Sequence, residues 1–145
     1  MEKSVNIFKA LSDNTRLRIV WLLKRAGTAL CVCEIMDALH ESQYNISRHL
    51  KELRIAGVVQ DQKQGRWNFY TLADSSSQFE QLVLQAVAAL TSDALELDYA
   101  RLQRRLALRE HDTCVIGVDS DLWRTIITEQ FTPDESEKQG TLNGR

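Results

Sequence analysis

A change of hydrophobic period at residue 58 constrains this 145-residue chain more than any other feature. Before it, apolar residues recur at helical spacing in four short runs separated by polar breaks. Val5, Phe8 and Leu11 form the first run. Ser12-Asp13-Asn14 ends it and offers an N-cap to the second, in which Leu17, Val20, Trp21 and Leu23 recur and Lys24, Arg25 and Gly27 mark the C-terminus. A third run, Val32 to Leu39, sets Ile35, Met36 and Leu39 on one side. After the polar turn His40-Glu41-Ser42-Gln43, with Ser42 as cap, Ile46, Leu50 and Leu53 give the spine of a fourth helix that stops at Gly57. Beyond it, Val58-Val59, the turn Lys63-Gln64-Gly65-Arg66 and the strand-forming run Trp67-Asn68-Phe69-Tyr70-Thr71-Leu72 read as a β-hairpin with a basic tip.

Short helices, a tight turn, a helix with an apolar spine and a polar face, then a basic hairpin predict a winged helix-turn-helix. The fold class is mainly α with some β, with a two-stranded wing and a long helical region behind it. A helix fits the DNA major groove, where Gln, Ser and Arg meet base-edge donors and acceptors. The expected reading set is Gln43, Tyr44, Ser47, Arg48 and His49 nearest the bases, Lys51 near phosphate, and Lys63 and Arg66 on the wing. A polar helix face alone is usually just solvated. The ordered set of elements is what turns it into a DNA-facing candidate.

After Ser75-Ser76-Ser77 the helical period returns in Phe79, Leu82, Val83, Ala86 and Leu90, and continues past Thr91-Ser92-Asp93 in Leu95, Tyr99, Leu102 and Leu106. That stripe exceeds what so small a domain covers, so it predicts burial against a partner helix in a homodimer matched to a symmetric operator. The alternative is a hairpin, broken near Ser92-Asp93, folded onto its own domain. Residues 1–110 are read as one DNA-binding and dimerisation domain. Residues 111–145 are read as a partly disordered extension, extended from Cys114 to Val118, helical around Leu122, Trp123, Ile126 and Ile127, and polar after Pro133.

The formal charge of −2 hides an asymmetry: residues 1–73 carry 11 Lys/Arg against 7 Asp/Glu, and residues 74–145 carry 7 against 13. The first part suits an anionic partner. No apolar run reaches the length of a membrane span, and the first residues lack a signal peptide's apolar core. Three cysteines make no disulfide framework and suggest reduced thiols in a cytoplasmic protein.

Leu11-Ser12-Asp13-Asn14-Thr15-Arg16-Leu17-Arg18-Ile19, the run from Ser42 to Val59, and Gly65-Arg66-Trp67-Asn68-Phe69-Tyr70-Thr71-Leu72 together resemble the second helix, recognition helix and wing of the ArsR/SmtB repressors. The resemblance covers roughly residues 3–90. It implies a homodimeric, metal-responsive repressor that leaves double-stranded operator DNA when inducer binds, with no permanent cofactor.

Cys31-Val32-Cys33 stands where the third helix begins and matches the arsenic-sensing branch of that family. Soft thiolates select soft ions over magnesium or calcium, and a helix N-terminus lowers thiol pKa values. Residues two apart on a regular helix point about 200° apart, so bridging one ion predicts that the first turn unwinds. The branch's usual third cysteine is replaced by Met36, which has core spacing. Cys114 remains as third ligand or as an incidental buried thiol, the other options being a water, a small thiol or a methyl group on the ion. The expected inducer is arsenic(III), as arsenite or methylarsenite, or antimony(III). A thiol-redox sensor or a cadmium/lead sensor is the alternative. The family's zinc and nickel site needs histidines along the last helix, and residues 79–110 contain none. His40 and His49 are read as turn and DNA-facing residues. Cys114 with His111 and Asp112 lacks the glycine loop of an acyl-transfer or phosphate-cradling enzyme, so no catalytic residue is expected.

Overall fold

The computed structural model describes residues 1–75, 77–111, 113–117 and 120–131. Four helices come first: α1 (Glu2–Leu11), α2 (Asn14–Ala26), α3 (Val32–Leu39) and α4 (Gln43–Ile55), with a two-residue strand β1 (Leu30–Cys31) entering α3. The hairpin β2 (Val59–Gln64) and β3 (Trp67–Leu72) follows, then α5 (Gln78–Ala88), α6 (Asp93–Leu106) and α7 (Asp121–Phe131). This is a winged helix-turn-helix in which α3 and α4 are the two helices of the motif.

Local chemistry accounts for the breaks. Asp13 caps α2 by accepting from the Arg16 backbone N–H at 3.0 Å, and Ser42 caps α4 through Asn45 at 3.2 Å. Gly27 closes α2 at φ 64°, a conformation that costs a residue with a Cβ. Along α4, Ile46, Leu50 and Leu53 are fully buried, each stabilising the helix by about 1.5–3 kcal/mol through apolar burial. They pin α4 and leave its polar side outward.

The wing gains a third strand. β1 pairs antiparallel with β3 in the order β1-β3-β2, with Cys31 opposite Phe69. Gln64 faces Trp67 across the hairpin end, leaving Gly65 (φ 61°) and Arg66 as the turn. The short strand fixes the path of the chain into α3 and so places the Cys31 side chain.

The stripe from Phe79 to Leu106 divides at the Ser92 cap, whose hydroxyl accepts from Leu95 N at 3.1 Å. The second half of the stripe turns inward within the chain, while Leu97 on the same helix stays exposed. Leu95 and Leu102 enter the common core, and the Arg18 guanidinium grips both oxygens of the buried Asp98 at 2.9 and 2.8 Å. α5 is held to α2 by Trp21, whose indole N–H donates to the Leu90 carbonyl at 3.1 Å. Apolar residues left outside include Val5 and Phe8 on α1, Ile55 at the end of α4, Leu82 and Leu90 at α5, Leu97 on α6 and Leu122 on α7. α7 is helical as read, and Trp123 is buried beside Met36, Asp37 and the His40-Glu41-Ser42 turn. Asp112, Val118 and the polar run after Pro133 lie outside the described residues.

Candidate functional site

Cys31, Cys33 and Cys114 come together in one chain. Their sulfurs lie 3.0 Å (Cys31 to Cys33), 3.1 Å (Cys31 to Cys114) and 3.7 Å (Cys33 to Cys114) apart, and all three are buried. They are free thiols walled by Phe69, Trp67 and Ala29. Among the described residues this is the one group of three or more side chains placed to share a metal ion.

The geometry corrects the expectation that the first turn of α3 must unwind. Cys31 is not helical: it is the N-cap, with extended backbone (φ −82°, ψ 163°), while Cys33 lies in the first turn. The 200° argument applies between two helical residues, and here strand pairing with Phe69 swings Cys31 toward Cys33 with α3 intact. A capping box holds this arrangement, the Cys31 backbone N–H donating to Glu34 Oε1 at 3.0 Å.

The charge distribution also differs from a helix-dipole account. The Cys31 S–H donates to Cys114, Cys33 lies within sulfur hydrogen-bond reach of it, and these contacts lower the Cys114 pKa to about 3, with the nearby Arg105 guanidinium working in the same direction. The hydrogen bond to Cys114, then that to Cys33, then burial push the Cys31 thiol far up. The bond to Cys114 pushes Cys33 up to about 11. Within the trio the hydrogen bonds and Arg105 favour ionisation at Cys114 over Cys31 and Cys33.

Two ion pairs flank the sulfurs. Arg109 forks onto Glu34 at 2.6 Å through both nitrogens and also donates to the Ala29 carbonyl at 2.8 Å. Arg105 donates from Nε to Asp37 at 2.8 Å and from Nη2 to the Ile116 carbonyl. Sequence reasoning missed all four. The signal was partly present in the spacing: Glu34 and Asp37 share a face of α3, and Arg105 lies in the last turn of α6 with Arg109 three residues past its end. Met36 is buried in the main core, away from the thiol cluster. His111 is exposed, and no catalytic arrangement surrounds it among the described residues.

On α4, Gln43, Tyr44, Ser47, Arg48 and Lys51 are exposed, Tyr44 to 76%. Lys63 and Arg66 are exposed on the wing, where Arg66 stacks over Trp67 at 4.7 Å. His49 departs from its expected place. It is buried, with Nδ1 3.2 Å from Arg16 Nη1 and Nε2 3.4 Å from Arg48 Nη2. Position 49 is one turn from Leu53 and Ile46 on the inward side, so the ring braces α4 against α2. Burial, opposed by Asp13 and helped by Arg48 and Arg16, lowers its pKa.

Fold and site together define a winged-helix DNA-binding regulator with a buried three-thiol centre. Residues 13–61 match the family described as bacterial regulatory protein, arsR family. The chain is 42% identical over 96 residues to the Arsenic resistance transcriptional regulator ArsR1 of Pseudomonas putida, covering 66% of this chain and 74% of that one. It is 51% identical over 69 residues to the Arsenical resistance operon repressor of Escherichia coli, covering 48% and 58%. The transcriptional regulator HlyU of Vibrio vulnificus superposes with a TM-score of 0.53 at 30% identity, over 63% of this chain and 90% of that one. The chain belongs to the ArsR family of bacterial regulatory proteins. It is a DNA-binding, metal-responsive transcriptional repressor of the ArsR/SmtB type and not an enzyme. No helix among the described residues is long and apolar enough to cross a membrane.

Proposed function

We propose that the chain is an arsenic(III)-responsive repressor that binds operator DNA as a homodimer and leaves it when a trivalent arsenical or antimonite is captured by Cys31, Cys33 and Cys114. The observation that carries this reading is the convergence of three soft sulfurs within 3.0–3.7 Å in a buried, apolar-walled pocket. The donor set suits a thiophilic ion and is poor for hard cations. Arsenous acid needs no redox partner: three As–O bonds give way to three As–S bonds and the hydroxyls leave as three waters, taking the three thiol protons. The arsenic-resistance names of two relatives support the same assignment, and reduced thiols suit a cytoplasmic protein.

The DNA-facing set is Gln43, Tyr44, Ser47 and Arg48 toward the bases, Lys51 toward phosphate and Lys63 with Arg66 from the wing. The sulfurs belong to three pieces of chain: β1, the first turn of α3, and the segment after α6. Drawing them onto one ion shifts α3 against the wing strand β3, which Cys31 pairs with, and α3 sets the position of α4. Inducer and operator then favour two different arrangements of the same helix pair.

Fluorescence anisotropy on a fragment of the protein's own promoter tests this under reducing conditions. Arsenite, antimonite or methylarsenite should release the protein at near-stoichiometric concentration. No release by any of them overturns the inducer assignment, and release by peroxide alone replaces it with a thiol-redox switch.

A further inference from the structure

We propose that Arg105 is the positioning residue of the thiol centre: it docks Cys114 beside Cys31 and Cys33 and, through Asp37, ties the docked segment to α3. This rests on reading the three thiols as the inducer site. Arg105 is 1% exposed, a rare burial for a guanidinium. A buried cation costs several kcal/mol unless its donors are matched, and an apolar residue of similar size fills a core more cheaply. Its two bonds explain what an apolar residue would not supply. One goes to the carbonyl of Ile116, two residues past Cys114, and the other to Asp37, one helical turn past Cys33. A closed ring results: Cys33, the α3 backbone, Asp37, Arg105, Ile116, Cys114, and back through the sulfur contact of 3.7 Å. The segment 113–117 forms no strand with the body, and its other backbone tie is a local bridge between Glu110 and Thr113. The planar fork fixes both bonds at once, which a lysine ammonium on a flexible stem does not. Arg109, one turn on, secures the other side by gripping Glu34, whose Oε1 holds the Cys31 N–H.

The test uses the full-length reduced protein loaded with arsenite, with arsenic-edge X-ray absorption counting sulfur neighbours and anisotropy following operator release. Wild type should show three sulfurs. Arg105→Lys should show two sulfurs and one oxygen, like Cys114→Ser, and should raise the arsenite midpoint by roughly 10–100-fold, the usual range for losing a residue that orients a metal ligand. Combining Arg105→Lys with Cys114→Ser should add nothing to either alone, because both remove the same ligand. Asp37→Asn leaves the Ile116 bond in place, so it should keep three sulfurs and bind operator normally. Its arsenite-driven loss of operator affinity should shrink from the roughly 5–150-fold of typical allosteric coupling toward onefold. Three sulfurs and an unchanged midpoint in Arg105→Lys overturn the inference alone. Wild type without sulfur neighbours sinks the inducer reading and this inference with it. Should Arg105→Lys fail to fold, Asp37→Asn decides: weakened release with three sulfurs supports the ring, and unchanged release overturns it.

Discussion

Cys114 completes the thiol centre although it lies more than eighty residues from its two partners. Replacing it with serine keeps the volume and removes the third soft donor. Cys114→Ser should therefore bind operator as wild type does and need roughly 10–100-fold more arsenite for release, read by anisotropy. Asp98 is a second residue with a clear physical role, pairing with Arg18 and, at 3.8 Å, with Arg101. It is 1% exposed and neutralises the Arg18 fork, so Asp98→Ala strands a partly buried cation. The expected loss is about 3 kcal/mol, at the low end for a broken buried pair because Arg18 keeps some water, and a urea midpoint checks it. His49 gives a pH dependence. Its folded pKa is depressed, so the native state favours the neutral ring while the unfolded chain takes up its proton near pH 6.5. Stability contributed by the neutral ring is complete above that value and is lost as pH falls toward the lower folded pKa. Unfolding midpoints measured from pH 7 to pH 5 should fall more steeply in wild type than in His49→Gln.

Elements formed by local pattern were legible in the sequence, and elements formed by distant pairing were not. The spacing of Ile46, Leu50 and Leu53 and the Ser42 cap gave α4 directly, since helix period and capping are properties of neighbouring residues. β1 left no trace because two residues carry no period, and it exists through its partner Phe69 thirty-eight positions on. Missing β1 is also why Cys31 was read as helical and its sulfur as turned away from Cys33. The stripe on α6 was visible, but an apolar face does not say whether it meets another chain or its own α2 and α3. What decides is the Arg18–Asp98 and Arg105–Asp37 pairing, which has no local signature. The wing supports a prediction at this scale. Its exposed Lys63 and Arg66 should each contribute one phosphate contact, so Lys63→Ala and Arg66→Ala should each lower the slope of log affinity against log salt by about 0.9, with little change in operator preference.

Among the described residues, α1 and the α5 region leave apolar side chains uncovered: Val5 and Phe8 of α1 with Leu82 and Leu90 at α5. α1 and α5 are already joined there by the edge-on rings of Phe8 and Phe79, 5.5 Å apart, and by Lys3 to Glu80 at 2.6 Å. We propose this face as the contact on which the homodimer closes, and a double variant tests it. Phe8→Glu combined with Leu82→Glu should give a folded monomer by sedimentation velocity and circular dichroism. Operator affinity should collapse with it, because a symmetric site needs two recognition helices held one DNA turn apart. A dimer of unchanged affinity would move the interface elsewhere.

The last sulfur enters after α6, downstream of every residue assigned to base or phosphate contact. Chemical taste and genomic address are therefore written on separate stretches of the gene. On the proposed reading, a handful of codons around position 114 would retune the third donor of the sensor while the promoter vocabulary stays as it was.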